Sequence, residues 1–202
     1  MRQKFRCAAA LAAVFLALCA PCRAAETIEH PAYLAGFADG TMRPDAPLTR
    51  EQLAQIVYRL LPEAVRETEP RAAAYVDVPA NRWSYRAVCT LTELGVWSDD
   101  RQAHFAPTQA VTCAEFAETL RRAGAVLPQL AAAQAPEDAD VPLSRGQAAQ
   151  ALNALLGRAD ETALGGVLTW RDVDENDPYF AAIREAANPH SVMPDGVWDA
   201  VG

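Results

Sequence analysis

The chain has 202 residues, 51% of them apolar and 22% charged, which suits one compact domain or several small repeats. Its 26 acidic residues outnumber the 18 basic ones, a formal charge of −8 at pH 7. With nothing basic clustered to displace counterions, this balance excludes nucleic acid as a partner class, and an anionic ligand would depend on local Arg sites rather than the overall field.

The chain opens on Arg2, Lys4 and Arg6, an apolar run from Cys7 to Ala20, and small residues around Cys22-Arg23-Ala24-Ala25. This order predicts a secretory signal peptide over 1–25, cleaved after Ala24 or Ala25; the run is too short to span a bilayer comfortably. Losing four of the 18 cations with the leader leaves 14 against 26 acids, or −12, and no Lys. No later run is apolar enough to cross a membrane, so the mature chain is expected to be secreted, with no transmembrane segment. Of five Cys, only Cys89 and Cys113 remain, as a disulfide or as two thiols.

The first predicted helix follows a turn at Asp39-Gly40 and an approach held extended by Pro44 and Pro47. Its start, Thr49-Arg50-Glu51-Gln52, has a hydroxyl residue three positions before Gln, the capping-box pattern. Next, Tyr75-Val76-Asp77-Val78 forms a turn before an amphipathic helix carrying Trp83, Tyr85, Val88, Leu91 and Leu94. Asn81 is its expected cap and Gly95 its expected end.

His104-Phe105-Ala106-Pro107 leads to a second capping pattern, Thr112-Cys113-Ala114-Glu115. The Ala- and Pro-rich stretch 127–139 reads as a linker or a degenerate remnant. A third start follows at Ser144-Arg145-Gly146-Gln147, where Gly146 lowers helix propensity in the first turn. Trp170-Arg171-Asp172-Val173 then repeats the Asp77 turn, with Asp177 as expected cap and Pro178 suited to the first helical position. Units that recur like this cannot bury their apolar faces alone and must pack on each other.

Arg50 and Arg145 place a cation in the first helical turn, the end that already carries partial positive charge. The recurrence of this local cost, among helix N–H groups, points to anion receptors. Trp83 suits either stacking on a sugar face or a place in the core. Asp77 and Asp172 read as turn formers capping local N–H groups. The acidic run 172–177 lacks the Gly and Glu of a calcium loop and reads as a turn. His30, His104 and His190 fall in predicted loops with no companion ligand, and two Cys without His make no metal site. No nucleophile elbow, zinc-protease motif or phosphate loop is present, so the expectation is a chain that is not an enzyme and takes no cofactor and no metal.

The run 36–54, Gly-Phe-Ala-Asp-Gly-Thr-Met-Arg-Pro-Asp-Ala-Pro-Leu-Thr-Arg-Glu-Gln-Leu-Ala, closely resembles the second half of a surface-layer homology (SLH) repeat. The Asp-Val…Trp stretch 75–95 resembles the first half, and the likeness covers nearly all of 31–188. The resemblance implies a mainly α fold, a pseudo-threefold SLH-type helical repeat bundle with long connecting loops. It implies non-covalent anchoring to cell-wall polysaccharide, often pyruvylated, with the Arg of the family's Thr-Arg-Ala-Glu motif in a glycan groove, meeting the ketal carboxylate. Arg50 and Arg145 match that Arg, whereas the middle copy has Cys113 instead.

The expected organisation is the second half of repeat 1 over 31–62 and repeat 2 over 75–124. A degenerate repeat 3 with a terminal Asp-Val helix unit covers 137–188, and a tail covers 189–202. The expected function is binding of an acidic secondary cell-wall polysaccharide at the cell surface. Arg50 leads the ligand-binding candidates, then Arg145, with Asp39, Gly40 and Trp83 around them. The alternative is a structural envelope protein that pairs with itself or with other surface proteins without binding glycan.

Overall fold

The computed structural model describes residues 28–71, 75–97, 104–158, 168–192 and 198–200, so the expected leader lies outside the described residues. Among the described residues six helices account for most of the regular structure: α1 (Arg50–Leu60), α2 (Glu63–Glu67), α3 (Tyr85–Glu93), α4 (Cys113–Ala123), α5 (Arg145–Leu156) and α6 (Phe180–Ala187). The fold is mainly helical, as the sequence implied. None of the described helices is long and apolar enough to cross a membrane.

Each long helix buries one stripe. In α1 the buried apolar positions are Leu53, Ala54, Ile56 and Val57, and in α4 they are Phe116, Ala117, Leu120 and Ala123. Leu48, Leu53, Leu91, Leu120, Leu152 and Ile183 are fully enclosed, and burying each side chain contributes about 1.5–3 kcal/mol. Helix α1 packs on α3, α5 packs on α6, and α4 packs on a 3₁₀ turn at Pro128–Leu130. Pro62 ends α1, because the residue before a proline is pushed out of the helical region and Leu61 is extended.

The three capped helix starts meet. Leu48 N–H donates to the Leu143 carbonyl (2.8 Å), Leu143 N–H to Val111 (2.9 Å), and Val111 N–H back to Leu48 (2.8 Å), closing a ring. One residue into each helix the pattern continues: Arg50 N–H donates to Gln109, Cys113 to Val141 and Arg145 to Ala46, at 2.9–3.0 Å. The next residues, Glu51, Ala114 and Gly146, donate to Pro107, Ala139 and Pro44. Thr49, Thr112 and Ser144 then cap the third amide of each helix, with full capping boxes at Thr49 and Ser144. The first amides of these helices are thus used up by neighbouring backbone. The expectation of helix N–H groups open to an anion does not hold.

Asp77 and Asp172 act at long range rather than as local turn formers. Asp77 accepts from Phe105 N–H and Ala106 N–H, both at 2.8 Å, and Asp172 accepts from Met42 N–H (2.8 Å) and Arg43 N–H (2.7 Å). Each clamp fixes one non-glycine residue at positive φ, Ala106 and Arg43, both 55°. The C-terminal Asp-Val unit therefore docks on the N-terminal loop, 130 residues away. Helices α3 and α6 also begin later than expected, after Ser84 and Tyr179 rather than Asn81 and Asp177. The Asp177 carboxylate instead accepts from Tyr179 N–H (2.7 Å) within a preceding turn. Gly95 ends α3 in the left-handed conformation, as read from the sequence.

The stretch 127–139 is packed rather than a free linker: Leu127, Leu130 and Ala133 are buried, and a Cβ at Gly124 would lie 2.7 Å from Ala131. The two ends of the described chain build a small antiparallel sheet in the order β1 (Ile28–His30), β2 (His190–Val192), β3 (Trp198–Ala200). Part of the stretch read as a tail is thus strand. In this sheet His30 pairs with His190, and Glu185 of α6 reaches both rings. The expectation that these histidines lack companions is overturned, because residues some 155–160 positions apart converge. Burial first, and then the charges of Arg158 and His190, lower the His30 pKa to about 4, so its ring is neutral at pH 7. Cys89 is buried on α3 as a thiol and Cys113 half-buried as another, without a disulfide between them.

Candidate functional site

The residue after each cap points into a different setting. Arg145 is only 3% exposed, and its guanidinium leaves its own helix start for the neighbouring loop. There Nε donates to the Met42 carbonyl (2.9 Å) and Nη2 to the Ala35 carbonyl (2.8 Å), 4.9 Å from the Phe37 ring centre. These carbonyls answer the electrostatic oddity, since the charge is met by backbone dipoles away from the helix end. Among the described residues no carboxylate comes within ion-pair distance of Arg145; Asp172 acts on it from farther off, and Nη2 also meets the Met42 sulfur (3.2 Å). Burial first, then the charge of Arg43, lowers its pKa to about 10, so it stays charged at neutral pH at an energetic cost.

Arg145 lines a cleft of about 720 Å³ between the 33–38 segment and α1. Gln52, Gln55 and Arg59 of α1 and Trp83 complete the polar and aromatic walls. Trp83 is 58% exposed, so it is a surface ring and not the core residue its helical spacing also allowed. Glu51 lines the same cleft, but its carboxylate is committed: Arg82 donates to it through Nε (2.8 Å) and Nη2 (2.9 Å), and Ser84 Oγ donates at 2.8 Å. Burial lowers the Arg59 pKa as it does that of Arg145. The cleft therefore offers two guanidiniums, two amides and one ring face, with its acid already neutralised. The Arg59, Gln52 and Gln55 contributions were not singled out in the sequence; their one-turn spacing on α1 was the available signal.

Arg50, the leading candidate, sits elsewhere. Its Nη1 is ion-paired with Glu115 of α4, and its guanidinium lies 4.9 Å from the Phe105 ring centre and 6.0 Å from that of Trp97. Burial raises the Glu115 pKa, with Arg50 opposing. Arg50 thus already holds a carboxylate, one supplied by the chain itself. At the third position Cys113 lines an apolar pocket of about 230 Å³ with Phe116, Leu143 and Leu155.

Asp39 and Gly40 form an exposed turn outside the cleft lining. Asp39 accepts from Thr41 N–H (3.1 Å), Thr41 Oγ1 (2.6 Å) and Arg43 Nη2 (2.7 Å), and these contacts, led by the Thr41 hydroxyl, hold its pKa at about 2. Gly40 takes φ of 79°, which a side chain rarely tolerates, and its carbonyl accepts from Arg171 N–H (3.0 Å). The structure thus brings Arg145 and Trp83 to one cleft and leaves Arg50 and the Asp39–Gly40 turn apart from it.

Comparison with known proteins bears on the same segment. Residues 33–54, which run from the cleft wall into α1, match the S-layer homology domain family. Over 89 residues the chain is 35% identical to "Cell surface glycoprotein 1" of Acetivibrio thermocellus. That match covers 44% of this chain and 4% of the relative's length. The resemblance read in the Gly36-to-Ala54 motif is borne out over residues 33–54, the segment that matches the S-layer homology family.

Proposed function

We infer that the chain is a cell-surface anchoring module whose 33–59 cleft binds an acidic cell-wall saccharide. In this reading the described repeats form the pseudo-threefold SLH arrangement, with the Asp172 unit completing the repeat begun at residue 31. Arg145, more than Arg50, meets the ligand carboxylate, Arg59 adds a second cation, and Trp83 offers a face to a pyranose ring. The observation that carries it is the buried Arg145 guanidinium, lining an open cleft with no described carboxylate in ion-pair contact. A ligand carboxylate there would offset a charge that burial disfavours. The S-layer homology match and the surface-glycoprotein relative support a role at the cell surface. No catalytic role is assigned.

The test is co-sedimentation with purified cell-wall sacculi, with and without their secondary polysaccharide. Retention on intact sacculi and loss from stripped ones is expected, weakened by Arg145→Lys and by Trp83→Ala with circular dichroism unchanged. Equal retention on both kinds of sacculi removes the glycan reading. Failure to bind either, with self-association in sedimentation analysis, favours a structural envelope protein.

A further inference from the structure

Apart from the cleft, three donor side chains from three segments converge where the chain ends meet. His30 of β1 places Nδ1 at 2.9 Å from Glu185 Oε1 and 3.2 Å from His190 Nε2; His190 Nε2 lies 3.0 Å from Glu185 Oε2. Glu185 and His190 are almost fully buried, and the His30 side chain is 14% exposed, so the cluster opens to solvent only on the His30 side.

The tautomer of His190 follows from its surroundings. Its Nδ1 lies 3.0 Å from the Asn188 backbone carbonyl, which can only accept, so Nδ1 carries the hydrogen. In the neutral ring Nε2 is then a lone pair, aimed at a carboxylate oxygen. Two electron-rich atoms 3.0 Å apart call for a hydrogen or a metal ion between them. A backbone carbonyl on the far ring nitrogen is also the arrangement that orients metal-bound histidine.

We propose that His30, Glu185 and His190 form a binding site for a divalent transition-metal ion of the zinc type, clasping the N-terminal strand to α6 and β2. The donor set, two imidazoles and one carboxylate, is a known three-ligand zinc set that leaves a fourth position for water. The separations suit it: with bonds of about 2.0 Å, tetrahedral donors lie roughly 3.3 Å apart. Water would enter from the His30 side. Arg158, 3.8 Å from Glu185 Oε1 and bonded to the Pro31 carbonyl (3.1 Å), competes for the carboxylate from outside the triad. The competing state is a purely hydrogen-bonded cluster in which protonated imidazole fills the place of the metal.

The experiment uses the untagged chain, stripped with chelator and titrated with Zn²⁺ by calorimetry, with Co²⁺ absorption reporting coordination. One equivalent bound, a tetrahedral-type Co²⁺ spectrum and a metal-dependent rise in melting temperature are expected. His30→Ala and Glu185→Gln should weaken binding by roughly tenfold or more, while His104→Ala leaves it unchanged. Because Glu185 is buried, His30→Asn at the more exposed ligand, checked by circular dichroism, serves as the variant that keeps its fold. Absence of Zn²⁺ binding to folded wild-type chain overturns the proposal, as does binding that survives His30→Asn. Wall retention by metal-free protein tests the cleft separately, so either reading can fail without the other.

Discussion

The ring of Tyr179 occupies the space that a side chain on Gly146 would take: a Cβ there would lie 2.3 Å from Tyr179 Cγ. At the matching positions of the other copy stand Glu51 and Ser84, joined by a 2.8 Å hydrogen bond. One copy thus fills the helix start with a charged hydrogen-bond cluster, the other with an aromatic ring over a bare backbone. Gly146→Ala should therefore destabilise the chain by about 1–3 kcal/mol, the range for forcing an extra methyl into packed space. Tyr179→Ser in the same chain should relieve part of the loss in urea unfolding.

Asp77 clamps a distant loop, and its acid response follows. Burial raises its pKa, but the Phe105 and Ala106 N–H groups outweigh that and bring it below the ordinary carboxylate value. The ionised form is therefore favoured by folding. That contribution is whole above about pH 4 and is lost as pH falls through the lowered native value. Asp77→Asn should lower stability at pH 7 and flatten the acid limb of the melting-temperature profile. An unchanged acid limb would count against the clamp.

Ala106 sits at φ of 55°, where a Cβ is disfavoured and glycine is not. Ala106→Gly should stabilise the chain by up to about 1 kcal/mol, read as a higher midpoint in chemical unfolding. The usual penalty for glycine reverses sign here because the native conformation is left-handed.

The two arginines should separate in stability measurements. Arg145→Ala leaves the buried Met42 carbonyl and the partly buried Ala35 carbonyl without their donor and empties a packed site, a loss of about 1–3 kcal/mol. Arg50→Ala removes a partner of Glu115 where both side chains are 21% exposed, so solvent can take over part of the pairing. Thermal denaturation of both variants should rank Arg145→Ala as the less stable.

Trp83 tests the surface reading directly. With 58% exposure, Trp83→Ala should change stability by no more than about 0.5 kcal/mol, the usual range for surface sites. A cost of several kcal/mol in thermal unfolding would return this ring to the core.

Helix starts were legible because their determinants are local. Thr49, Thr112 and Ser144 cap within three residues of themselves, and Gly95 ends a helix by its own backbone freedom. What sequence reading missed depends on distant segments. Asp172 bonds to Met42, Arg50 to Glu115, and His30 meets His190 across 160 positions; no local pattern announces any of these. The apolar stripe of α3 was readable, but Trp83 precedes its first residue, Tyr85, so helical spacing did not govern its exposure. Arg145 and Trp83 were named from sequence; that they share a cleft while Arg50 does not required the folded chain.

The hydrogen-bonded circuit of Leu48, Val111 and Leu143 has a consequence for inheritance as well as for folding. An open stack of repeats grows or shrinks by one unit at its ends, but a closed circuit of three has no end to which a fourth could attach. The three helix starts differ instead in the side chain set on that frame, Arg50, Cys113 and Arg145, while their backbone bonds are alike. Since the circuit joins residues nearly a hundred positions apart, no single unit can assemble first and wait for the rest. The chain is expected to fold slowly and as a whole, and removing any one of the three circuit segments should cost the entire structure rather than one lobe.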